Sequence, residues 1–262
     1  MPAKPEILWP LRAHVSAIRA GDVHLWCVGL DDREDQAGPP LATLSADERQ
    51  RALRLRFPRD RRRFVLARTR LREILARYLE VGPARLRFAY GPSGKPTLVQ
   101  PVSGRDLQFN LSHCGALALY AVAVHEPVGV DLEQIRPLAD LPAIATRFFS
   151  PAEVAWLRRL EPDRRPEAFF QLWTQKEALG KAQGTTLDES LLAVDFAPSS
   201  RRRRLNGSRA GTFSPWIVTR LQPATGYVGA VALTSPTPHL QLWQWAPGEV
   251  EESRRIRTMD CA

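Results

Sequence analysis

Ser150-Pro151-Ala152-Glu153 opens the stretch whose reading decides the fold, and Phe169-Phe170-Gln171-Leu172-Trp173-Thr174-Gln175-Lys176-Glu177-Ala178-Leu179-Gly180-Lys181 closes it. The first four residues form an S-x-x-E capping box with proline at the first helical position, so a helix starts here. That helix runs through Leu157 and Leu160, breaks at Pro162 and resumes before Phe169. In the resumed helix Phe169, Trp173, Glu177 and Lys181 recur every four residues and share one face. Taken alone, Glu177 and Lys181 are better read as an exposed helix pair worth roughly 0.2–0.5 kcal/mol. The rest of the chain decides between that reading and a site.

The same layout occurs earlier. Ser45-Ala46-Asp47-Glu48 is a capping box, followed by a helix that breaks at Pro58 and resumes near Asp60 toward Tyr78-Leu79. A shift of 105 residues superimposes Ser45 on Ser150, Glu48 on Glu153, Phe64 on Phe169 and Thr69 on Thr174. The apolar strand Leu117–Ala123 likewise has a later counterpart in Tyr227–Leu233. Matching caps, breaks and strands predict an α/β (α+β) chain of two similar halves about a pseudo-twofold. Each half is a small, mostly antiparallel sheet packed with helices, and a ligand cleft between them is the natural site. The expected bounds are 1–126 and 127–246, with a flexible polar tail at 247–262.

Other strands are read at Val23–Val28, Leu107–Gly115, Val128–Glu133, Leu191–Phe196, Trp216–Leu221 and His239–Trp245. Arg201–Arg204 reads as a solvated loop. In Val128-Gly129-Val130-Asp131-Leu132-Glu133 the period of two puts Asp131 and Glu133 on one face. Two carboxylates so close are either an exposed acidic strand end or joined by a cation, and Mg²⁺ suits one or two carboxylates plus substrate phosphates. Ser112 and His113 are adjacent on extended backbone and therefore point apart, a poor nucleophile–base couple. A histidine that is structural or binds phosphate is the better reading, and a Cys114 nucleophile is disfavoured.

Composition narrows the partners. The chain of 262 residues carries a formal charge of +9, which favours an anionic partner. Only four of its 37 basic residues are lysines, two of them Lys176 and Lys181, which points to a site needing a compact ammonium. Between Arg51 and Arg72 ten arginines stand against one acid, Asp60, read equally as a solvated helix face or as a surface for phosphate or an acidic protein. Three cysteines without metal-ligand spacing, and no apolar run of membrane-spanning length, fit a cytoplasmic protein. A nucleic-acid binder would interleave aromatics with the basic stripe, and only Phe57 and Phe64 fall there. A Mg²⁺-dependent nuclease would use the same carboxylates without needing a duplicated fold.

Four segments in order, Gly94-Lys95-Pro96, Phe109-Asn110-Leu111-Ser112-His113, Val128–Glu133 and Trp173–Lys181, resemble the 4'-phosphopantetheinyl transferases. The resemblance is to their large monomeric class, typified by the enzyme that activates surfactin synthetase. The resemblance implies Mg²⁺ (or Mn²⁺) as cofactor and coenzyme A as substrate. The phosphopantetheine arm would pass to a serine of an acidic apo carrier protein, with release of 3',5'-ADP. No nucleic acid or membrane is expected as partner, and the chain would act as a monomer. By the same resemblance Asp131, Glu133 and Glu177 would hold the metal, and Glu177 would also serve as base. Lys181 would neutralise a phosphate oxygen, while Arg51, Lys95, Ser112 and His113 would bind the nucleotide phosphates. Cys114 stands where the family often has a hydroxyl, and Thr186 where it often has a second glycine after the lysine.

Overall fold

A computed structural model describes residues 5–12, 15–31, 41–91, 94–99, 106–185, 194–196, 202–209, 212–235 and 237–246. Both capping boxes start helices as expected. α1 (Ala46–Leu53) and α4 (Pro151–Arg159) each follow a serine N-cap, with the glutamate three residues on reaching back to the serine N–H. α2 (Pro58–Leu79) and α5 (Arg165–Gln183) follow them, both with proline in the first turn. The sequence reading resumes α2 near Asp60; it resumes at Pro58, where the missing N–H has no helical partner to lose. A further helix, α3 (Leu141–Phe148), went unread: it has proline in its first turn and no side-chain cap.

The strands are β1 (Leu11–Arg12), β2 (Asp22–Gly29), β3 (Phe88–Tyr90), β4 (Pro96–Leu98), β5 (Leu107–Cys114) and β6 (Leu117–Val124). β7 (Val128–Gln134), β8 (Arg202–Arg209), β9 (Thr212–Leu221), β10 (Tyr227–Leu233) and β11 (His239–Trp245) complete them. One sheet has the order β1-β11-β2-β6-β5 and a second has β7-β10-β9-β8, with β3 and β4 forming a small hairpin. The order β2-β6-β5 recurs as β7-β10-β9, antiparallel throughout, so the duplication includes a strand pair, β2 and β7, that sequence alone did not match.

Three corrections follow. Residues 127–246 do not form one sheet, because β11 crosses back to pair in parallel with β2 of the first. Arg202–Arg204 lie in β8, paired with β9, and not in a loop. Val194–Phe196 are not in a strand, and Leu191–Ala193, Arg201, Thr186 and the tail from Pro247 lie outside the described residues.

Alternation along each strand builds a layered core. Trp26 and Val28 of β2, with Tyr120 and Val122 of β6, pack against Leu71, Ile74 and Leu75 of α2. The opposite residues, Leu25 and Cys27 with Leu119 and Ala121, meet Val128, Val130 and Leu132 of β7 and Val231 of β10. The far face of the second sheet, Val228 and Ala230, covers Phe169, Phe170, Leu172 and Leu179 of α5. The two sheets thus pack face to face between α2 and α5, joining the halves through apolar burial. This leaves β5 and β7 as neighbouring sheet edges. Asn110 Oδ1 of β5 accepts from the N–H of Val130 at 2.8 Å, satisfying an edge donor that would otherwise be buried unpaired.

Candidate active site

The site is built where α5 crosses β7. Gly129 sets the distance: a Cβ there would lie 2.1 Å from the carbonyl oxygen of Ala178 and 2.4 Å from the nitrogen of Ala182. Only glycine allows the two backbones to approach so closely. Asp131, two residues on and on the same face, is then brought under Lys181, whose Nζ donates to Asp131 Oδ1 at 2.6 Å.

β5 supplies the other wall through its own period of two. Asn110, Ser112 and Cys114 hydrogen-bond to β7, and Asn110, Leu111 and His113 line a cleft. Ser112 Oγ donates to Asp131 Oδ1 at 2.8 Å and accepts from Lys181 Nζ at 3.2 Å. Cys114 Sγ donates to Glu133 Oε2 at 3.2 Å and accepts from the N–H of Gln134 at 3.4 Å; Arg136 also reaches Glu133 Oε2. The Cys114 thiol therefore touches an expected metal ligand. Burial pushes it up to about 11, so it remains a thiol and a donor, not a nucleophile.

Between the halves lies a cleft of about 320 Å³ lined by Arg51, Lys95, His113, Glu177 and Lys181. Five of the expected site residues thus share one cavity, and Asp131 and Ser112 join them through Lys181. Two expectations change. Ser112, expected on the nucleotide phosphates, gives its hydroxyl to Asp131 and Lys181, while Asn110, Leu111 and His113 of the same strand line the cleft. Lys95 lines the cleft, but its ammonium donates to the carbonyls of Lys181 at 2.7 Å and Val128 at 3.2 Å, tying the Gly94–Pro96 turn to the end of α5.

Electrostatics single out Glu177. Burial first, then the negative charges of Asp131 and Glu133, raise its carboxyl above the usual range, with Lys181 opposing. Burial likewise pushes Asp131 up against the pull of Lys181 and the Ser112 hydroxyl. His113 is held below its ordinary value by desolvation in the cleft and by the charges of Lys181 and Arg51. Among the described residues no three carboxylate, histidine or cysteine side chains stand as a closed metal-ligand cluster. Asp131, Glu133 and Glu177 are the carboxylates that could hold a hard dication. Asp131 Oδ2 is buried without a hydrogen-bond partner, and the charges of Asp131 and Glu133 both act on Glu177.

Lys176 is not part of the site. It is fully buried and pairs at 3.0 Å with Glu153, the glutamate of the capping box, while donating to the carbonyl of Val194. The equivalent Glu48 in the first half is likewise buried, against Arg68 and Arg72. The scarcity of lysine thus marked one site residue and one buried structural one. Sequence reading missed Arg68 and Tyr90, which line the cleft and hydrogen-bond to each other at 2.7 Å. The only signal for Arg68 was its place in the arginine-rich helix.

Two family models cover the halves: "4'-phosphopantetheinyl transferase, N-terminal" over residues 34–125 and "4'-phosphopantetheinyl transferase superfamily" over 127–232. The chain is 39% identical over 227 residues to the 4'-phosphopantetheinyl transferase HetI of Nostoc, covering 86% of this chain and 92% of HetI. The chain belongs to the 4'-phosphopantetheinyl transferases. Further relatives of this transferase are psf-1 of Bacillus pumilus, 37% identical over 74% of the chain and 80% of psf-1, and Sfp of Bacillus subtilis, 29% identical over 75% and 84%. The fold of two similar halves accommodates both family models, and their matches adjoin where β6 passes to β7.

Proposed function

We propose that the enzyme moves the 4'-phosphopantetheine arm of coenzyme A to a serine hydroxyl of an apo carrier protein, with Mg²⁺ or Mn²⁺, and releases 3',5'-ADP. The observation that carries this reading is Glu177, with its raised carboxyl, sharing one cleft with Lys181, His113 and Arg51. Asp131, Glu133 and Glu177 would hold the metal, which when bound supplies charge stabilisation to the pyrophosphate. Arg51 and His113 take the nucleotide phosphates. Lys95 borders the same phosphates while bracing α5.

The serine oxygen attacks the phosphorus that bears the pantetheine arm, and the bond from that phosphorus to the oxygen of the departing ADP breaks. The serine proton passes to Glu177, directly or through a water, and a carboxyl raised toward neutrality is the better base for it. Lys181 neutralises charge on the bridging oxygen as it leaves. Ser112 keeps Asp131 and Lys181 in register, so positioning and charge supply the rate of the in-line displacement. No described helix is long and apolar enough to cross a membrane, and Cys27 and Cys114 are free. We place the enzyme in the cytoplasm, acting as a monomer whose two halves supply both walls of the cleft.

Incubation with coenzyme A, Mg²⁺ and a panel of apo acyl, aryl and peptidyl carriers, read by intact mass, tests the reading. A phosphopantetheine adduct on a carrier is expected. No adduct on any of them would overturn it.

A further inference from the structure

Cys114 takes no part in the chemistry above, yet the fold holds it in a closely built place. It is the last residue of β5, and the turn to β6 passes through Gly115 and Ala116. Gly115 has a positive φ of 57°, and a Cβ there would lie 2.7 Å from the Tyr227 hydroxyl oxygen and 3.0 Å from Oε1 of Gln134. Glycine therefore lets this turn of the first half settle on the paired ends of β7 and β10, where Gln134 and Tyr227 stand opposite each other. The Ala116 N–H donates to the Tyr227 hydroxyl oxygen at 3.3 Å and pins the turn there.

The pinned turn sets the thiol between two groups of β7. Sγ accepts from the N–H of Gln134, and its own proton goes to Glu133 Oε2. Arg136 Nη1 reaches that same oxygen at 3.2 Å, and among the described residues nothing donates to Oε1. Two donors thus hold one carboxylate oxygen and leave the other. The Arg136 side chain is 50% exposed, so water screens its hold on Glu133, whereas the thiol reaches the carboxylate from the first half of the chain.

We propose that Cys114 is a positioning residue, its thiol steadying Glu133 through Oε2 so that Oε1 is the oxygen offered to the dication. This rests on the metal-dependent transferase reading. Mg²⁺ selects oxygen over sulfur, so Cys114 acts through Glu133 and does not join the ligands. Hydrogen-bond partners of a ligating carboxylate fix its orientation, and their loss typically costs about 10–100-fold in metal affinity. A serine hydroxyl also donates and accepts, so it should serve in the thiol's place.

The test is Mn²⁺ binding to the full chain with coenzyme A present and no carrier, read from the spin resonance of the free ion. Wild type, Cys114→Ala and Cys114→Ser are compared, and thermal melting checks that each variant folds. Cys114→Ala should weaken Mn²⁺ binding by about tenfold, the lower end of the range because Arg136 still holds Oε2. Cys114→Ser should stay within about threefold of wild type. The Mg²⁺ concentration for half-maximal transfer should rise in step with the Mn²⁺ dissociation constant, while coenzyme A binding without metal stays as in wild type. A folded alanine variant that binds Mn²⁺ as wild type does overturns the positioning role alone. So does a folded serine variant as weak as alanine, because the lost donor is then not the cause. A wild type that binds no Mn²⁺ overturns the metal reading and this role together.

Discussion

Replacing Gly129 with alanine tests the packing on which the whole site depends. The added Cβ would sit 2.1 Å from the Ala178 carbonyl oxygen, where ordinary contact begins at 3.4 Å. The obstacle is helix backbone, which cannot rotate aside as a side chain would. α5 must withdraw from β7 by more than an ångström. Overpacking of this kind costs about 1–3 kcal/mol, and contact with backbone places Gly129→Ala toward the upper end. The functional loss should exceed the loss of stability. Lys181 and Asp131 are now 2.6 Å apart, and withdrawal of α5 by an ångström carries that contact beyond hydrogen-bond range. Displacement of a positioned group by about 1 Å can cost on the order of a hundredfold in rate. Thermal melting and transfer kinetics, read by intact mass on the same preparation, measure both effects. A variant that melts like wild type and keeps kcat within twofold would refute the claim that close helix–strand contact positions the site.

Other outcomes follow from charges outside or at the edge of that contact. Lys176→Met removes the partner of a fully buried Glu153, which should cost about 3–5 kcal/mol in chemical denaturation. Adding Glu153→Gln should recover much of this, and a single variant losing under about 1 kcal/mol would show that the pair does not matter. His113 is held below its ordinary value in the free enzyme, so an incoming phosphate raises it and binding takes up a proton. Coenzyme A affinity, measured by calorimetry, should therefore rise as pH falls below neutrality, and His113→Ala should remove part of that slope. An unchanged slope in the variant would take His113 off the phosphates.

The candidate site could be named from sequence because it rests on local periods. The helical spacing of Glu177 and Lys181 and the strand spacing of Asp131 and Glu133 are properties of single elements, and each survives in the structure. The duplicated capping boxes were legible for the same reason, and they carried the division into two halves. What failed required knowledge of distant pairing. β11 returns to the first sheet by parallel pairing with β2, more than 200 residues back in the chain, and no local pattern announces it. Ser112 and Lys95 could be placed near the site from sequence, but their hydrogen bonds go to Asp131 and to the end of α5. Those partners are set by the meeting of β5, β7 and α5. The role of Lys176 could not be read from sequence because a buried ion pair and a site both select a basic side chain, and only burial separates them. α3 lacks a side-chain cap, so its start gave no signal.

The most direct test of the central claim is Glu177→Gln, assayed for transfer beside wild type with coenzyme A binding and melting temperature measured in parallel. The amide keeps the shape and an oxygen donor but cannot take the serine proton. Because burial and the neighbouring carboxylates raise Glu177 in the folded chain, its ionised form works against folding at pH values above that raised level, and the amide removes this cost. The account predicts kcat lower by about 10²–10⁴-fold, coenzyme A still bound, and a melting temperature equal to or above wild type at neutral pH. Full transfer activity in Glu177→Gln would contradict it.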